Sequence, residues 1–194
     1  LNEIAQYLST RRSIAIPALG QPAPEGETLE AMLRIAARVP DHGKLAPWRF
    51  ILYRGDAAVR IGVALRELAE RREGPLGEMR RDMEEKRFSR SPLVVGVVSR
   101  AKPHVKIPEW EQVMSAGAAA MNLVHAAHAL GFGANWLTEW VAYDDEAKGI
   151  LGIAPNEKVA GFIHVGSPVD VQTDRVRPEL ADIVSEAAAP PAAA

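Results

Sequence analysis

Residues 109–130 constrain this chain more than any other segment. The rows Trp110, Met114, Ala118, Met121, His125 and Val113, Gly117, Ala120, Val124 recur at helical spacing and leave little polar surface. A helix that is apolar nearly all round has to be buried. In a chain of 194 residues, 47% of them hydrophobic, this makes it a central helix or one packed against a second subunit.

The other elements are arranged around it. Ile4, Tyr7 and Leu8 share one face of a short helix that ends near Ser9-Thr10, and Pro17 to Pro24 form a loop. Leu29, Met32, Leu33, Ala36 and Ala37 mark a second helix, which Pro40 closes. The run from Trp48 to Tyr53 suits a strand, and Gly55-Asp56 opens a helix towards Arg72. Residues 74–91 carry both charge signs and read as a solvated helix and loop. Leu93 to Val98 is a continuous apolar run, expected of a strand covered on both faces. Gly131-Phe132-Gly133 ends the apolar helix, Ala134 to Thr138 reads as a short strand, Asp144 to Leu151 as a helix and Val159 to Val165 as a buried strand. Helices and strands alternate unevenly, which makes the class α+β. Residues 1–186 read as a single domain, followed by a low-complexity tail, 187–194.

With no cysteine in the chain, disulfides, thiolate metal sites and cysteine nucleophiles are excluded. A net charge of −2 gives no general attraction to nucleic acid or to an anionic membrane. The start Leu1-Asn2-Glu3-Ile4 lacks the layout of a signal peptide, and no run approaches the ~20 apolar residues of a membrane span. The expectation is a cytoplasmic protein without nucleic-acid or membrane partners.

Motifs for the commonest chemistries are missing. Gly131-x-Gly133 lacks a third glycine and follows a helix, so it is not a dinucleotide fingerprint; no Walker-type loop, nucleophile elbow or HExxH occurs. His125 and His128 stand one turn apart but have no third ligand at metal spacing, so no metal is expected. The remaining signals are cationic. Arg11, Arg12 and Ser13 follow the first helix and combine guanidinium groups with a hydroxyl, as a phosphate grip requires. Arg38 and His42 form a second polar cluster, and Arg175 with Arg177 a third. Each alone is an ordinary solvated group.

Taken in order, the segments resemble the nitroreductase superfamily of FMN-dependent oxidoreductases, in its small YdjA-like branch. The resemblance rests on Arg11-Arg12-Ser13-Ile14 and on the block from Arg38 through Pro40-Asp41-His42-Gly43 to Pro47-Trp48-Arg49-Phe50. It extends through Trp110-Glu111-Gln112-x-Met114-Ser115-Ala116-Gly117, Gly131-Phe132-Gly133-x-x-Trp136 and Gly161-Phe162-x-x-x-Gly166-x-Pro168.

The resemblance implies a sandwich with a central mixed or antiparallel sheet flanked by helices. It also implies an obligate homodimer with FMN sites at the subunit interface. By the same resemblance Arg11, Arg12 and Ser13 hold the phosphate and ribityl end, with Arg175 and Arg177 as a further phosphate clamp. Arg38 and His42 reach the flavin, Trp136, Leu137 and Thr138 line it, and Ala126, Ala127, His128, Ala129, Leu130 and Gly131 match a segment associated with NADH or NADPH. The implied reaction is ping-pong electron transfer from NAD(P)H to a small acceptor such as a nitroaromatic or quinone. Flavin-using dehalogenation, flavin fragmentation and flavin storage or sensing without turnover stay open beside it. The chain departs from the family pattern at Ala15, where many members carry a cation for the flavin N1/O2 edge, and at Ala46. It departs again at Leu137-Thr138-Glu139, where relatives have Arg-Ser-Gly. Arg38 or His42 is the expected substitute for the missing cation.

Overall fold

Side chains of successive strand residues face opposite sides, so a strand without polar residues separates two cores. Strand β3 (Leu93–Ser99) is buried throughout. Leu93, Val95 and Val97 join one core, and Val94 and Val98 join the other. The computed structural model describes residues 2–170 and 172–187. Within the expected tail, 188–194 lie outside the described residues.

Beside β3 run β2 (Trp48–Tyr53) and β5 (Lys158–Pro168), and β5 also pairs with β4 (Gly133–Leu137) and the short β1 (Leu19–Gly20). All of these pairings are antiparallel, which decides between the mixed and antiparallel alternatives. Strand β5 runs beyond the expected end at Val165, because Ser167 and Pro168 pair with Gly20 and Leu19. Proline is tolerated there because the strand is ending.

Helices α2 (Gly26–Ala36) and α5 (Glu109–Ala129) cover one face of the sheet, where Met32, Leu123 and Val124 pack on Leu93, Ile163 and Val165. The other face is covered by α3 (Gly55–Glu73) and α6 (Asp145–Ile150), with Leu65, Leu68 and Leu151 against Val94 and Phe162. The fold is an α+β sandwich.

Helix α5 meets its expected burial on three sides only. Ala116, Ala119, Ala120, Leu123, Ala126 and Ala127 are buried, whereas Trp110 is 70% and Met114 55% exposed. Among the described residues this row is open at Trp110 and Met114, while Ala118, Met121 and His125 further along it are half-buried.

The stretch 74–91 is solvated along most of its first part, as its charges suggest, but not towards its end. It contains α4 (Glu78–Glu85), yet Glu84, Arg87, Phe88 and Ser91 are buried. Phe88 packs on Tyr53 and Phe162 with ring centroids 4.8 and 5.1 Å away. Gly96 makes room for this cluster, since a Cβ there would lie 2.9 Å from the Tyr53 ring.

The described residues fall into two compact units, 13–170 and the chain ends 2–12 with 172–187. In the second unit, Asn2 caps α1 (Glu3–Thr10) by accepting from Ala5 N–H at 2.8 Å. Its apolar face is open, with Ile4 and Leu8 exposed, as are Leu180 and Ile183 of α7 (Leu180–Ile183).

Candidate functional site

The most specific sequence blocks are tied together by side chains of α5. Ser115 donates to Pro40 O at 2.6 Å and accepts from Trp48 Nε1 at 3.0 Å, so one hydroxyl joins both ends of the Pro-Asp-His to Pro-Trp block. Asp41 holds the loop between them, its carboxylate accepting from the N–H groups of Leu45 and Ala46 at 2.9 Å each. These bonds support Lys44 and Ala46 at positive φ, 55° and 45°. Gln112 exchanges two hydrogen bonds with the Lys102 backbone, at 2.8 and 3.1 Å. Glu111 pairs with His42 Nδ1 at 2.7 Å, a partner that nothing in the spacing announces.

His42 lines an apolar groove of about 390 Å³ with Pro40, Trp110, Glu111, Met114, Ser115 and Ala118. Arg38 is exposed at the end of α2, and its carbonyl accepts from Asn122 at 3.3 Å.

A second groove, of about 470 Å³, is lined by Ile16, Pro17, Arg90, Asn135 and Leu137. The Ser13 loop forms one side of it, tied down by Ile14 N–H donating to Ala134 O at 3.0 Å and by Asn135 Nδ2 donating to Ile14 O at 2.7 Å. Ser13 itself is exposed. Trp136 packs against Gly161 of β5 and donates to Ala160 O at 3.1 Å. Gly161 permits this, since a Cβ there would come 2.0 Å from the indole nitrogen. Thr138 accepts from the Tyr143 hydroxyl at 3.1 Å. Apolar walls with an amide and a guanidinium suit a flat heteroaromatic ring with one polar edge, and the volume falls in the range of small-molecule sites.

Arg90 belongs to the stretch read as solvated, and sequence reasoning missed it. Its partner Glu139, noticed only as a departure from glycine, binds Arg87 at 2.6 Å and Arg90 at 2.7 Å. Burial alone would raise the Glu139 carboxyl, but hydrogen bonds and charge from the two arginines outweigh it and hold the group below its ordinary value.

In the terminal unit, Arg12 Nε donates to Thr173 O at 2.9 Å and stands 3.8 Å from Asp174, which also lies 3.5 Å from Arg177. Arg12 and Arg177 therefore share one carboxylate, with Arg175 next to it in sequence. Arg11 is half-buried at the end of α1. Of the segment expected to meet a nicotinamide donor, Ala126 and Ala127 lie in the sheet-facing core, while Ala129 and Gly131 reach the surface. His128 and Leu130 are half-buried.

These two grooves share no lining residue. Arg38 and His42 are thus not brought together with Leu137 in either groove.

Residues 8–167 match the model of the nitroreductase family. A protein of Escherichia coli strain K12, provisionally named NAD(P)H nitroreductase YdjA, is 33% identical over 165 residues, covering 84% of this chain and 87% of its own. A Haemophilus influenzae protein provisionally named NAD(P)H nitroreductase is 34% identical over the same shares. In solved structures, a nitroreductase-like protein from Bacillus cereus superposes with a TM-score of 0.79 at 21% identity, covering 96% of both chains. A nitroreductase with bound FMN from Bacteroides fragilis gives 0.70 at 19%, over 96% of this chain and 100% of that one. With the family model spanning most of its length and the same sandwich in its structural neighbours, the chain belongs to the nitroreductase family.

Proposed function

We propose that this protein is an FMN-dependent oxidoreductase that draws electrons from NADH or NADPH and passes them by a ping-pong route to nitroaromatic or quinone-type acceptors. One observation carries this reading beyond family membership. The groove of Ile16, Pro17, Arg90, Asn135 and Leu137 joins apolar walls, an amide and a cation, the set of groups a flavin ring requires. When bound, the flavin supplies the redox chemistry, accepting electrons from the nicotinamide donor and handing them to the acceptor.

Leu137, Ile16 and Pro17 keep water from the ring, and Asn135 offers hydrogen bonds to its polar edge. The phosphate is assigned to Arg11, Arg12, Arg175 and Arg177 on the strength of their motifs, with Ser13 at the ribityl end. His42 contributes from the other groove and Arg38 from the exposed end of α2, and Ala129 and Gly131 are the surface part of the donor segment. On this reading a second copy brings its own groove to complete the site, as the resemblance implies. The uncovered Trp110 and Met114 of α5 supply the apolar contact for such a homodimer, since exposed aromatic and methionine side chains are enriched at interfaces.

The test is direct. Purified protein incubated with FMN should retain a flavin spectrum and oxidise NADH or NADPH when a nitroaromatic or quinone is supplied, with parallel double-reciprocal plots. A colourless protein that takes up no FMN would overturn the proposal. Flavin uptake without any consumption of donor would point to storage instead. Arg12→Ala should weaken FMN binding by about 2 kcal/mol, roughly thirtyfold, as expected for a lost charge-assisted contact. Titration of flavin fluorescence measures this, and unchanged affinity removes Arg12 from the site.

A further inference from the structure

Glu139 adopts φ 59° and ψ 177°, a region nearly confined to glycine. A side chain held there costs roughly 1–3 kcal/mol and persists only where the surroundings over-determine it. Here two guanidinium groups grip its carboxylate, Arg87 at 2.6 Å and Arg90 at 2.7 Å. Arg87 is buried and makes two further hydrogen bonds to Glu84, at 2.8 and 2.6 Å. Arg90 is placed differently. Its Nε donates to Arg87 O at 3.2 Å, and its quarter-exposed side chain forms a wall of the groove with Ile16, Pro17, Asn135 and Leu137.

Among the described residues lining that groove, Arg90 is the one with a charge. Position 15, on the loop that supplies Ile16 and Pro17, is Ala15 and offers none. His164 lies behind Arg90, hydrogen-bonded to Ser91 at 2.8 Å. Burial first, and the Arg90 charge second, push it down to about 4, so it is neutral at neutral pH. Glu139 is occupied by its two arginines.

Resting on the flavin reading above, we propose that Arg90, fixed in place by Glu139, is the cation that favours the reduced over the oxidised flavin. Oxidation of NAD(P)H to NAD(P)+ delivers two electrons and one proton, which turn the neutral oxidised ring into an anion. A pre-set guanidinium in an apolar groove stabilises that new charge without reorganising. Glu139 is a positioning residue: it keeps Arg90 at the groove wall, and the strained backbone is held by that contact.

The experiment compares wild type, Arg90→Ala, Arg90→Lys and Arg90→Gln, each loaded with FMN. Affinity for oxidised FMN is read by fluorescence and the two-electron midpoint potential by equilibration with reference dyes. Arg90→Ala should bind oxidised FMN within about threefold of wild type and reduced FMN about tenfold more weakly. That difference appears as a potential about 30 mV more negative. Arg90→Lys should restore most of it, and Arg90→Gln, which keeps a hydrogen-bond donor, carries the same comparison if the alanine variant does not fold. An unchanged potential in flavin-loaded Arg90→Ala or Arg90→Gln overturns the role of Arg90 and leaves the flavin reading standing. A wild type that takes up no FMN overturns both.

Discussion

Arg87→Met should destabilise the fold by about 3 kcal/mol, the lower end of what removing one partner of a buried ion pair costs. Arg87 and Glu84 are 3% and 0% exposed, so neither charge is solvated. The Arg87 guanidinium meets Glu84 at 2.6 Å, Glu139 at 2.6 Å, and stands 5.9 Å from the centre of the Trp140 ring. Without it two carboxylates lose their shared cation. Arg80 still reaches Glu84 at 2.9 Å, and Trp140 Nε1 donates to it at 3.2 Å, while Arg90 still holds Glu139. These remaining partners keep the loss from being larger. Urea denaturation at neutral pH measures it, and the expected fall in melting temperature is roughly 6–12 °C for a chain of this length. Adding Glu84→Gln to Arg87→Met should recover part of the loss, because the double variant no longer buries a Glu84 charge that has lost its buried cation and keeps only Arg80 and Trp140. A single variant within 1 kcal/mol of wild type, or a double variant worse than the single one, would show that the network does not hold this segment.

This network also explains which parts of the molecule were legible in the sequence. Periodicity is local, so the strand 48–53, the buried strand from Leu93 and the long apolar helix are found within a residue or two of where they were expected. Ion pairing is only partly local. Glu84 and Arg87 are neighbours within the stretch 74–91, but Glu139, the further partner of Arg87 and the partner of Arg90, comes about fifty residues later. Phe88, the aromatic that docks the stretch between Tyr53 and Phe162, is a single residue and makes no pattern. Of the site, the Pro-Asp-His and Trp-Glu-Gln blocks could be seen, but the reason they belong together could not. It is the Ser115 hydroxyl that bonds both Pro40 and Trp48. The sequence offers Arg38 or His42 as the substitute for the missing cation, and nothing in it singles out Arg90, which lines the groove with Leu137. The open row at Trp110 and Met114 shows the same limit: composition indicates that α5 must be covered but not by what.

Acid should weaken the fold well before its carboxylates are protonated, and His164 sets the range. The Ser91 hydroxyl donates to Leu93 O at 3.1 Å and therefore accepts from His164 Nδ1–H at 2.8 Å, which fits a neutral ring. Burial, the main cause, and the nearby Arg90 charge lower its pKa to about 4, against a weaker pull upward from Glu139. Above pH ~6.5, the ordinary histidine value, the ring is neutral in both the folded and the unfolded chain, and stability is full. Below that value the unfolded chain takes up a proton that the folded chain refuses, so stability falls by up to about 1.4 kcal/mol per pH unit. The loss reaches about 3 kcal/mol near pH 4 and then levels off. Glu139, Glu157 and Asp144 are all held below their ordinary carboxyl values, so their contributions are lost only further into acid. The interval from pH 6.5 to 4.5 thus lies above these carboxylates, and a His164 variant reads the His164 share within it. His164→Asn keeps a donor for Ser91 and has no proton to gain there. Urea midpoints for wild type should drop steadily across this interval while those of the variant fall clearly less. Equal slopes for the two proteins would mean that His164 is protonated in the folded chain and that Ser91, Arg90 and Glu139 accommodate its charge.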